Sequence, residues 1–180
     1  SASFLDNLYW RDLVANVTYP VTAYTSVAPG GTLPAAMTSD GRYIALGSPT
    51  TSWYVWDTQL HARVYTNTAA APLSGVTISQ DGNRIAGSAA GNLVVVDRSV
   101  SSSNLISSSA DQPGLSGDGR FITFRTTSAL DPGDTNGVFD IYVCDLQSGS
   151  NTLVSGLLAG AANGASDSPT ISADGRFVAY

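Results

Sequence analysis

One short phrase occurs four times along this chain of 180 residues. Its copies are Ser39-Asp40-Gly41-Arg42, Ser79-Gln80-Asp81-Gly82-Asn83-Arg84, Ser116-Gly117-Asp118-Gly119-Arg120 and Ser172-Ala173-Asp174-Gly175-Arg176. An internal repeat constrains the architecture before any single residue is interpreted. Whatever recurs in every copy is expected to be structural, and function is expected where a copy departs from the pattern.

Each repeat is predicted to contain four short strands. Asp-Gly joins the first two, since this dipeptide accepts the positive φ values of a tight primed turn, and a serine two residues earlier is expected to add a hydrogen bond. The third strand ends in Asp, as at 53–57 and 141–145, and a more polar strand follows. Successive Asp-Gly aspartates are 41 (81−40), 37 (118−81) and 56 (174−118) residues apart. The first two intervals match a propeller blade, and the third indicates an insertion.

The phase of the repeats predicts how the ring is completed. The sequence begins at the third strand of one repeat and ends after the second strand of another. We therefore predict a single all-β domain, residues 1–180, folded as a β-propeller of four four-stranded repeats with one blade completed from both termini. The blades are expected at approximately 167–180 plus 4–24, 33–66, 74–107 and 111–155. This predicts a closed four-bladed ring, or part of a larger propeller formed by oligomerisation or by a longer chain.

The composition agrees with an all-β fold and excludes some partners. All eight basic residues are Arg and all fourteen acidic residues are Asp, so the helix formers Lys and Glu are absent. The net charge of −6 argues against a nucleic-acid partner, which needs a clustered basic face. No apolar run is long enough to span a membrane. The Lys-free, acidic, Ser- and Thr-rich composition indicates an exported bacterial protein, periplasmic or extracellular.

Two segments carry a family resemblance. "GVFDIYVCDLQSGSNTLVS" (137–155) and "SDSPTISADGRFVAY" (166–180) resemble the TolB-type, tryptophan–aspartate-like β-propeller repeats of bacterial exported proteins. The pattern covers effectively the whole chain, in weaker form from Asp6 to Ser26. The resemblance implies a propeller scaffold used mainly for protein binding, or as an accessory domain beside an enzyme. TolB-like propellers usually have six blades, whereas four repeats are present here.

The insertion at 126–140 is a candidate metal site. It carries four oxygen-bearing side chains, those of Asp131, Asp134, Asn136 and Asp140. Hard cations such as Ca²⁺ take six to eight oxygen ligands, although the spacing differs from the EF-hand pattern. The alternative is a long turn in which these side chains hydrogen-bond to nearby backbone. The sequence leaves both interpretations open.

Aromatic residues and two lone reactive residues are the other candidates. Trp53 and Tyr54 are predicted to belong to a binding surface, with Trp53 at its rim, and core packing is the alternative. His61 is expected to be a surface or structural histidine, and Cys144 a small buried or half-buried thiol. No catalytic or cofactor-binding residue is assigned.

These features favour a non-catalytic binding or scaffold module that engages a protein or peptide, or that self-associates through its incomplete terminal blade. Its binding face is expected where the loops between second and third strands meet the connections between blades. Those segments are 47–52, 87–92 and 126–139, with 24–32, 68–74 and 156–167 beside them. The alternatives are a propeller domain of an exported hydrolase, with Asp131, Asp134 or Asp140 acting with a metal, and a structural repeat module of a surface array or filament.

Overall fold

The computed structural model describes the chain as β-strands joined by turns. It covers residues 8–21, 34–47, 52–68, 72–157, 160–161 and 164–180. The strands are β1 (Tyr9–Asp12), β2 (Val17–Pro20), β3 (Ala35–Met37), β4 (Tyr43–Gly47), β5 (Ser52–Asp57), β6 (Ala62–Thr68), β7 (Gly75–Ile78), β8 (Arg84–Ala89), β9 (Asn92–Asp97), β10 (Ser102–Ser107), β11 (Ala110–Leu115), β12 (Phe121–Thr126), β13 (Asp140–Asp145), β14 (Ser150–Leu153), β15 (Gly156–Leu157), β16 (Gly160–Ala161), β17 (Thr170–Ile171) and β18 (Val178–Ala179). Over these ranges no helix occurs that is long and apolar enough to cross a membrane.

Three antiparallel four-stranded sheets form the body of the structure, which confirms the predicted all-β propeller class. We name them blade 1 (β3–β6), blade 2 (β7–β10) and blade 3 (β11–β14), and in each the strands pair in chain order. The N-terminal hairpin (β1–β2), the C-terminal hairpin (β17–β18) and the pair β15–β16 are separate two-stranded sheets. Of the predicted blade segment 4–24, only residues 8–21 are described.

The blades stack face to face, because alternate residues of each strand point to opposite neighbours. In blade 1, Ile44 and Trp56 belong to an apolar cluster shared with the N-terminal hairpin, whereas Ala45 and Val55 belong to a cluster shared with blade 2. A third cluster joins blades 2 and 3. The first strand of each blade also contacts the first strand of the next, from β3 to β7, β11 and β17.

The described sheets form an open arc, so the closed four-bladed ring is not formed. Strand β1 pairs with β2 and strand β18 pairs with β17, with no ladder between the two hairpins. The N-terminal hairpin packs against blade 1, and the C-terminal hairpin packs against blade 3. The half-blades therefore lie at opposite ends of the stack.

The Asp-Gly phrase forms the turn between the first and second strands, as expected. In blade 3 the Ser116 hydroxyl donates to Asp118 Oδ1 at 2.6 Å, and the same oxygen accepts the Arg120 N–H at 3.0 Å. These two bonds lower the pKa of Asp118. In blade 1 the equivalent hydroxyl belongs to Thr38 rather than to Ser39. The turn is not the tight primed type, because only its glycine has a positive φ, between 70 and 73° in the four copies. The Asp side chain instead closes a longer loop.

The residue after each turn packs on the turn glycine of the next blade. The pairs are Tyr43 on Gly82, Arg84 on Gly119 and Phe121 on Gly175. A Cβ atom at Gly175 would lie only 2.6 Å from Phe121 Cδ2. The glycine is therefore required twice, by its positive φ and by the close approach of the neighbouring blade.

Candidate binding groove

A groove of about 320 Å³ lies between blades 1 and 2. Its apolar walls include Trp53, Leu73 and Val94, and Asn67 and Asn92 contribute carboxamides. The described residues that line it are all uncharged. The lining includes the start of β5, the end of β6 and the hairpin between β8 and β9, so the groove opens on the predicted loop face. Residues 24–32, 48–51, 69–71, 158–159 and 162–163 of that predicted face lie outside the described residues.

Trp53 forms one wall of this groove. The alternation of β5 directs Trp53 and Val55 towards blade 2, where both are almost completely buried. Gly87 of β8 makes room for the indole, since a Cβ there would lie 3.2 Å from Trp53 Cζ3. Trp53 is only 3% exposed, so it lies in the wall and not at the rim where the sequence placed it.

The Trp53 indole N–H is buried and has no hydrogen-bond partner among the described residues. The indole N–H groups of Trp10 and Trp56 share this state, but neither residue lines the groove. A buried donor without an acceptor costs about 1–3 kcal/mol.

Tyr54 points away from the groove because it is the next residue along β5. Its ring packs against the apolar cluster beneath the N-terminal hairpin, and the Arg63 guanidinium lies 4.7 Å from the ring centroid. The two predicted binding residues therefore lie on opposite faces of one strand. Of the two, only Trp53 reaches the groove.

The edge of the groove contains residues that sequence reasoning missed. Leu105 of β10 lines the groove and is 60% exposed, although it lies within a strand. Asn92 follows the Ala90-Gly91 turn, in which both residues have positive φ. The Asn67 carboxamide oxygen accepts the Thr68 N–H at 2.7 Å. The one sequence signal available was a leucine within an otherwise polar outer strand. It could be recognised as part of a groove only once the position of the neighbouring blade was known.

The acidic insertion lies between β12 and β13, and its carboxylates have protein partners. Asp140 is fully buried, and its oxygens accept hydrogen bonds from Ser155 Oγ at 2.6 Å and from Asn136 Nδ2 at 2.8 Å. Asp131 Oδ1 accepts the Gly133 N–H at 2.8 Å. The Asp131 contact is the one expected of the long-turn alternative, whereas Asp140 is held by two other side chains.

Asp134 completes this arrangement from within the loop. Its Oδ2 accepts the Tyr142 hydroxyl at 2.7 Å, and that hydroxyl accepts the Leu130 N–H at 3.2 Å. Burial, and then the bond to Asp134, raise the pKa of Tyr142, so the hydroxyl remains a donor at neutral pH. In the described part of the chain, no three His, Cys, Asp or Glu side chains are grouped to hold a metal ion. The Ca²⁺ site stays a prediction.

The lone histidine and cysteine have structural surroundings. His61 lies at an exposed turn, and its ring centroid is 4.7 Å from that of Tyr19, which stacks on Trp10. Cys144 is 4% exposed, which confirms a buried thiol. Burial, and then the nearby Asp145 carboxylate, raise the pKa of this thiol and keep it in the less reactive protonated form.

Comparison with known proteins identifies the fold. No family model and no curated protein matches the chain. A solved structure of a putative TolB from Agrobacterium tumefaciens superposes over 98% of this chain, with a TM-score of 0.60 and 19% identity. The chain has a TolB-like β-propeller fold. The β-propeller domain of Cps50 (Swd1) from Myceliophteria thermophila superposes over 96% of it, with a TM-score of 0.67 and 13% identity.

A third similar structure is hydrazine synthase from Kuenenia stuttgartiensis, with a TM-score of 0.53 and 17% identity over 82% of this chain. The TolB-like chain spans 61% of the length of the TolB structure, 54% of the Swd1 domain and 43% of the hydrazine synthase chain. At these sequence identities the similarity concerns the arrangement of the blades and not the function. The function depends on the groove and on the surfaces of the blades themselves.

Proposed function

We propose that this TolB-like propeller is a non-catalytic binding module of an exported bacterial protein, and that it binds a protein or peptide segment in the groove between blades 1 and 2. The observation that carries the proposal is a largely apolar cleft between two blades, with carboxamides in its lining and the exposed Leu105 at its edge. Clefts of several hundred Å³ with a few polar groups are typical of binding sites. Loops and blade junctions of a rigid scaffold are the usual place for recognition.

The lining favours a polypeptide over a charged small molecule. An apolar side chain would pack against Leu73, Val94 and the exposed Leu105. Carboxamides such as that of Asn67 carry both a donor and an acceptor, which matches the N–H and C=O groups of a peptide backbone. Each of these features suits an extended segment with a central apolar residue.

Charge contributes little to this recognition. The chain has a net charge of −6, yet every lining residue in the described part of the chain is uncharged. Interactions between exposed charges weaken as salt screens them, whereas apolar contacts and buried hydrogen bonds do not. Binding in the groove is therefore expected to keep its affinity between low and physiological ionic strength.

A matched pair of leucine variants tests the groove. Peptides selected from a random display library on the wild-type chain are measured against Leu105→Arg in the groove and Leu60→Arg as the control. Leu60 is 65% exposed, close to the 60% of Leu105, and it lies in the turn between β5 and β6, outside the groove lining. Leu105→Arg removes an apolar contact and also places a charge that a bound apolar side chain would desolvate, and a loss of about 1.4 kcal/mol is tenfold in affinity.

We expect Leu105→Arg to weaken binding by about tenfold and Leu60→Arg to leave it unchanged. Equal affinity for both variants, or loss of binding only in Leu60→Arg, would place the recognition elsewhere and refute the assignment. The exported location is supported by composition alone. Fractionation of cells that make the full-length protein tests it, and recovery in the cytosolic fraction would contradict it.

A further inference from the structure

An Asn-Gly step lies in the insertion between β12 and β13. Asn136 is half-buried, whereas Gly137 is exposed and has φ of 69°. Nothing lies within 4 Å of a Cβ atom added at Gly137. An asparagine that precedes glycine is prone to lose its amide nitrogen, because glycine has no side chain to shield its backbone nitrogen from the neighbouring carboxamide carbon. Asparagine is accordingly counted among the thermolabile residues.

Hydrogen bonds orient the Asn136 carboxamide. Its Oδ1 accepts the Val138 N–H at 2.9 Å, which closes an Asx turn, and its Nδ2 donates to Asp140 Oδ2 at 2.8 Å. Gly137 lies inside this turn, so its nitrogen is held beside the carboxamide carbon of Asn136. The bond from Val138 also stabilises the negative charge that develops on Oδ1 when that carbon is attacked. The turn therefore presents the carboxamide to the Gly137 nitrogen.

The Asp-Gly turns hold the corresponding groups in a protected form. The hydrogen bond from the Ser116 hydroxyl lowers the pKa of Asp118, and an ionised carboxylate is a poor target for a nitrogen nucleophile. The turn glycines also donate their N–H groups to carbonyls three residues earlier, whereas the Gly137 N–H donates to no described residue. These bonds are Gly41 to Thr38 at 2.8 Å, and Gly82 to Ser79, Gly119 to Ser116 and Gly175 to Ser172 at 2.9 Å.

We propose that Asn136 is a site of spontaneous deamidation in the folded protein. The Gly137 nitrogen forms a bond to the Asn136 carboxamide carbon, the bond from that carbon to Nδ2 breaks, and the Gly137 proton leaves with Nδ2 as ammonia. The product is a cyclic imide. Water then opens the imide at either of its carbonyl carbons, which leaves an aspartate or an isoaspartate at position 136. No electrons are transferred, and solvent water is the co-reactant.

Deamidation reverses one contact of the buried Asp140. The Nδ2 donor is replaced by a second carboxylate beside Asp140 Oδ2, while the Ser155 hydroxyl, at 2.6 Å from Asp140 Oδ1, remains a donor. Two carboxylates that share a site repel each other, and the repulsion is stronger where burial excludes water. The insertion is therefore expected to loosen at its Asp140 end, while Asp134 stays bound to the Tyr142 hydroxyl.

Peptide mapping by mass spectrometry tests this site on the folded chain incubated at mildly alkaline pH. Aspartate and isoaspartate are expected to accumulate at position 136, as they do in a guanidinium-unfolded sample. Asn92 and Asn104, each followed by leucine, are expected to remain intact over the same period.

Gly137→Ala is the matched variant, since its methyl group covers the attacking nitrogen. It is expected to slow the reaction by about tenfold or more, which corresponds to about 1.4 kcal/mol in the barrier. A folded chain that stays unmodified at position 136 would overturn the proposal. Modification confined to the second Asn-Gly step, at 163–164, or an equal rate in Gly137→Ala would overturn it too.

A second set of variants tests the effect on Asp140. Asn136→Asp reproduces the aspartate product and is expected to have a lower urea midpoint than the wild type. The exchanged pair Asn136→Asp/Asp140→Asn restores one donor and one acceptor, and most of the loss is expected to return. Asn104→Asp makes the same charge change on the exposed face of β10 and is expected to leave the midpoint unchanged. An unchanged midpoint in Asn136→Asp, or no recovery in the exchanged pair, would contradict the effect on Asp140. The groove assignment does not depend on any of these results.

Discussion

Gly82 lies beneath the ring of Tyr43 from the preceding blade, and an alanine at this position tests that inter-blade contact. The added Cβ would lie 2.7 Å from Tyr43 Cγ, well inside the normal carbon–carbon contact of about 3.5–4.0 Å. Gly82 also has φ of 72°. Gly149 has φ of 74°, and nothing lies within 4 Å of a Cβ added there. The two alanine variants therefore share the backbone strain and differ in the contact.

The expected magnitudes follow from these distances. A left-handed conformation costs an L-residue about 1–2 kcal/mol, which is the whole effect expected for Gly149→Ala. Gly82→Ala adds a displacement of the Tyr43 ring by about 1 Å, and overpacking of this kind costs about 1–3 kcal/mol more. The free energy of unfolding should therefore fall by about 2–5 kcal/mol in Gly82→Ala.

Urea denaturation at one fixed protein concentration measures both variants, since association would stabilise the folded state by mass action. The double variant Gly82→Ala/Tyr43→Ala should lose less than the sum of the two single variants, because removing the ring relieves the overlap. Equal losses in Gly82→Ala and Gly149→Ala, or strictly additive effects in the double variant, would refute the inter-blade contact as the reason for the glycine.

Two further predictions concern the third blade. Tyr142→Phe removes the donor to the buried Asp134 carboxylate and should lower the free energy of unfolding by about 1–3 kcal/mol. If Tyr142→Phe lowered it by the same amount in a chain that already carried Asp134→Ala, the hydrogen bond between the two residues would be contradicted. The hydrogen bond from Arg120, and then that from the Gln147 N–H, lower the pKa of Asp145 to about 2, from about 3.9 in an unfolded chain. This contribution to stability is complete above the unfolded pKa and is lost as the pH falls through the folded one. Between neutral pH and about pH 2, the urea midpoint should therefore fall less steeply in Arg120→Gln than in the wild type. The same decrease in both proteins would exclude the Arg120–Asp145 ion pair as a cause of the acid destabilisation.

The strands and turns were predictable because they depend on residues close together in sequence. Asp118 and Gly119 form a turn whose aspartate bonds Ser116 and Arg120, all within five residues. The same local chemistry recurs in each copy, so the blades and their order could be predicted. The primed turn type was wrong, because the side chain of the aspartate, and not dipeptide preference alone, decides how the loop closes.

The candidate site could be predicted only in part. Trp53 was selected as an aromatic residue near a loop, but its burial depends on Gly87 and Leu73 in another part of the chain. Leu105 lies on the same groove although it is 52 residues away in sequence (105−53). The partners of Asp134 and Asp140 likewise come from β13 and the end of blade 3. Such groups of neighbouring residues form only when the strands and blades pack together.

The sequence by itself determined that this chain is built from repeated four-stranded units punctuated by Asp-Gly turns, because turn chemistry and strand alternation act over a few residues. The tertiary structure decided which residues of different units meet. Tyr43 of blade 1 packs on Gly82 of blade 2, and Trp53 of blade 1 lines a groove together with Leu105 of blade 2. These contacts join residues far apart in the sequence, so no local pattern encodes them.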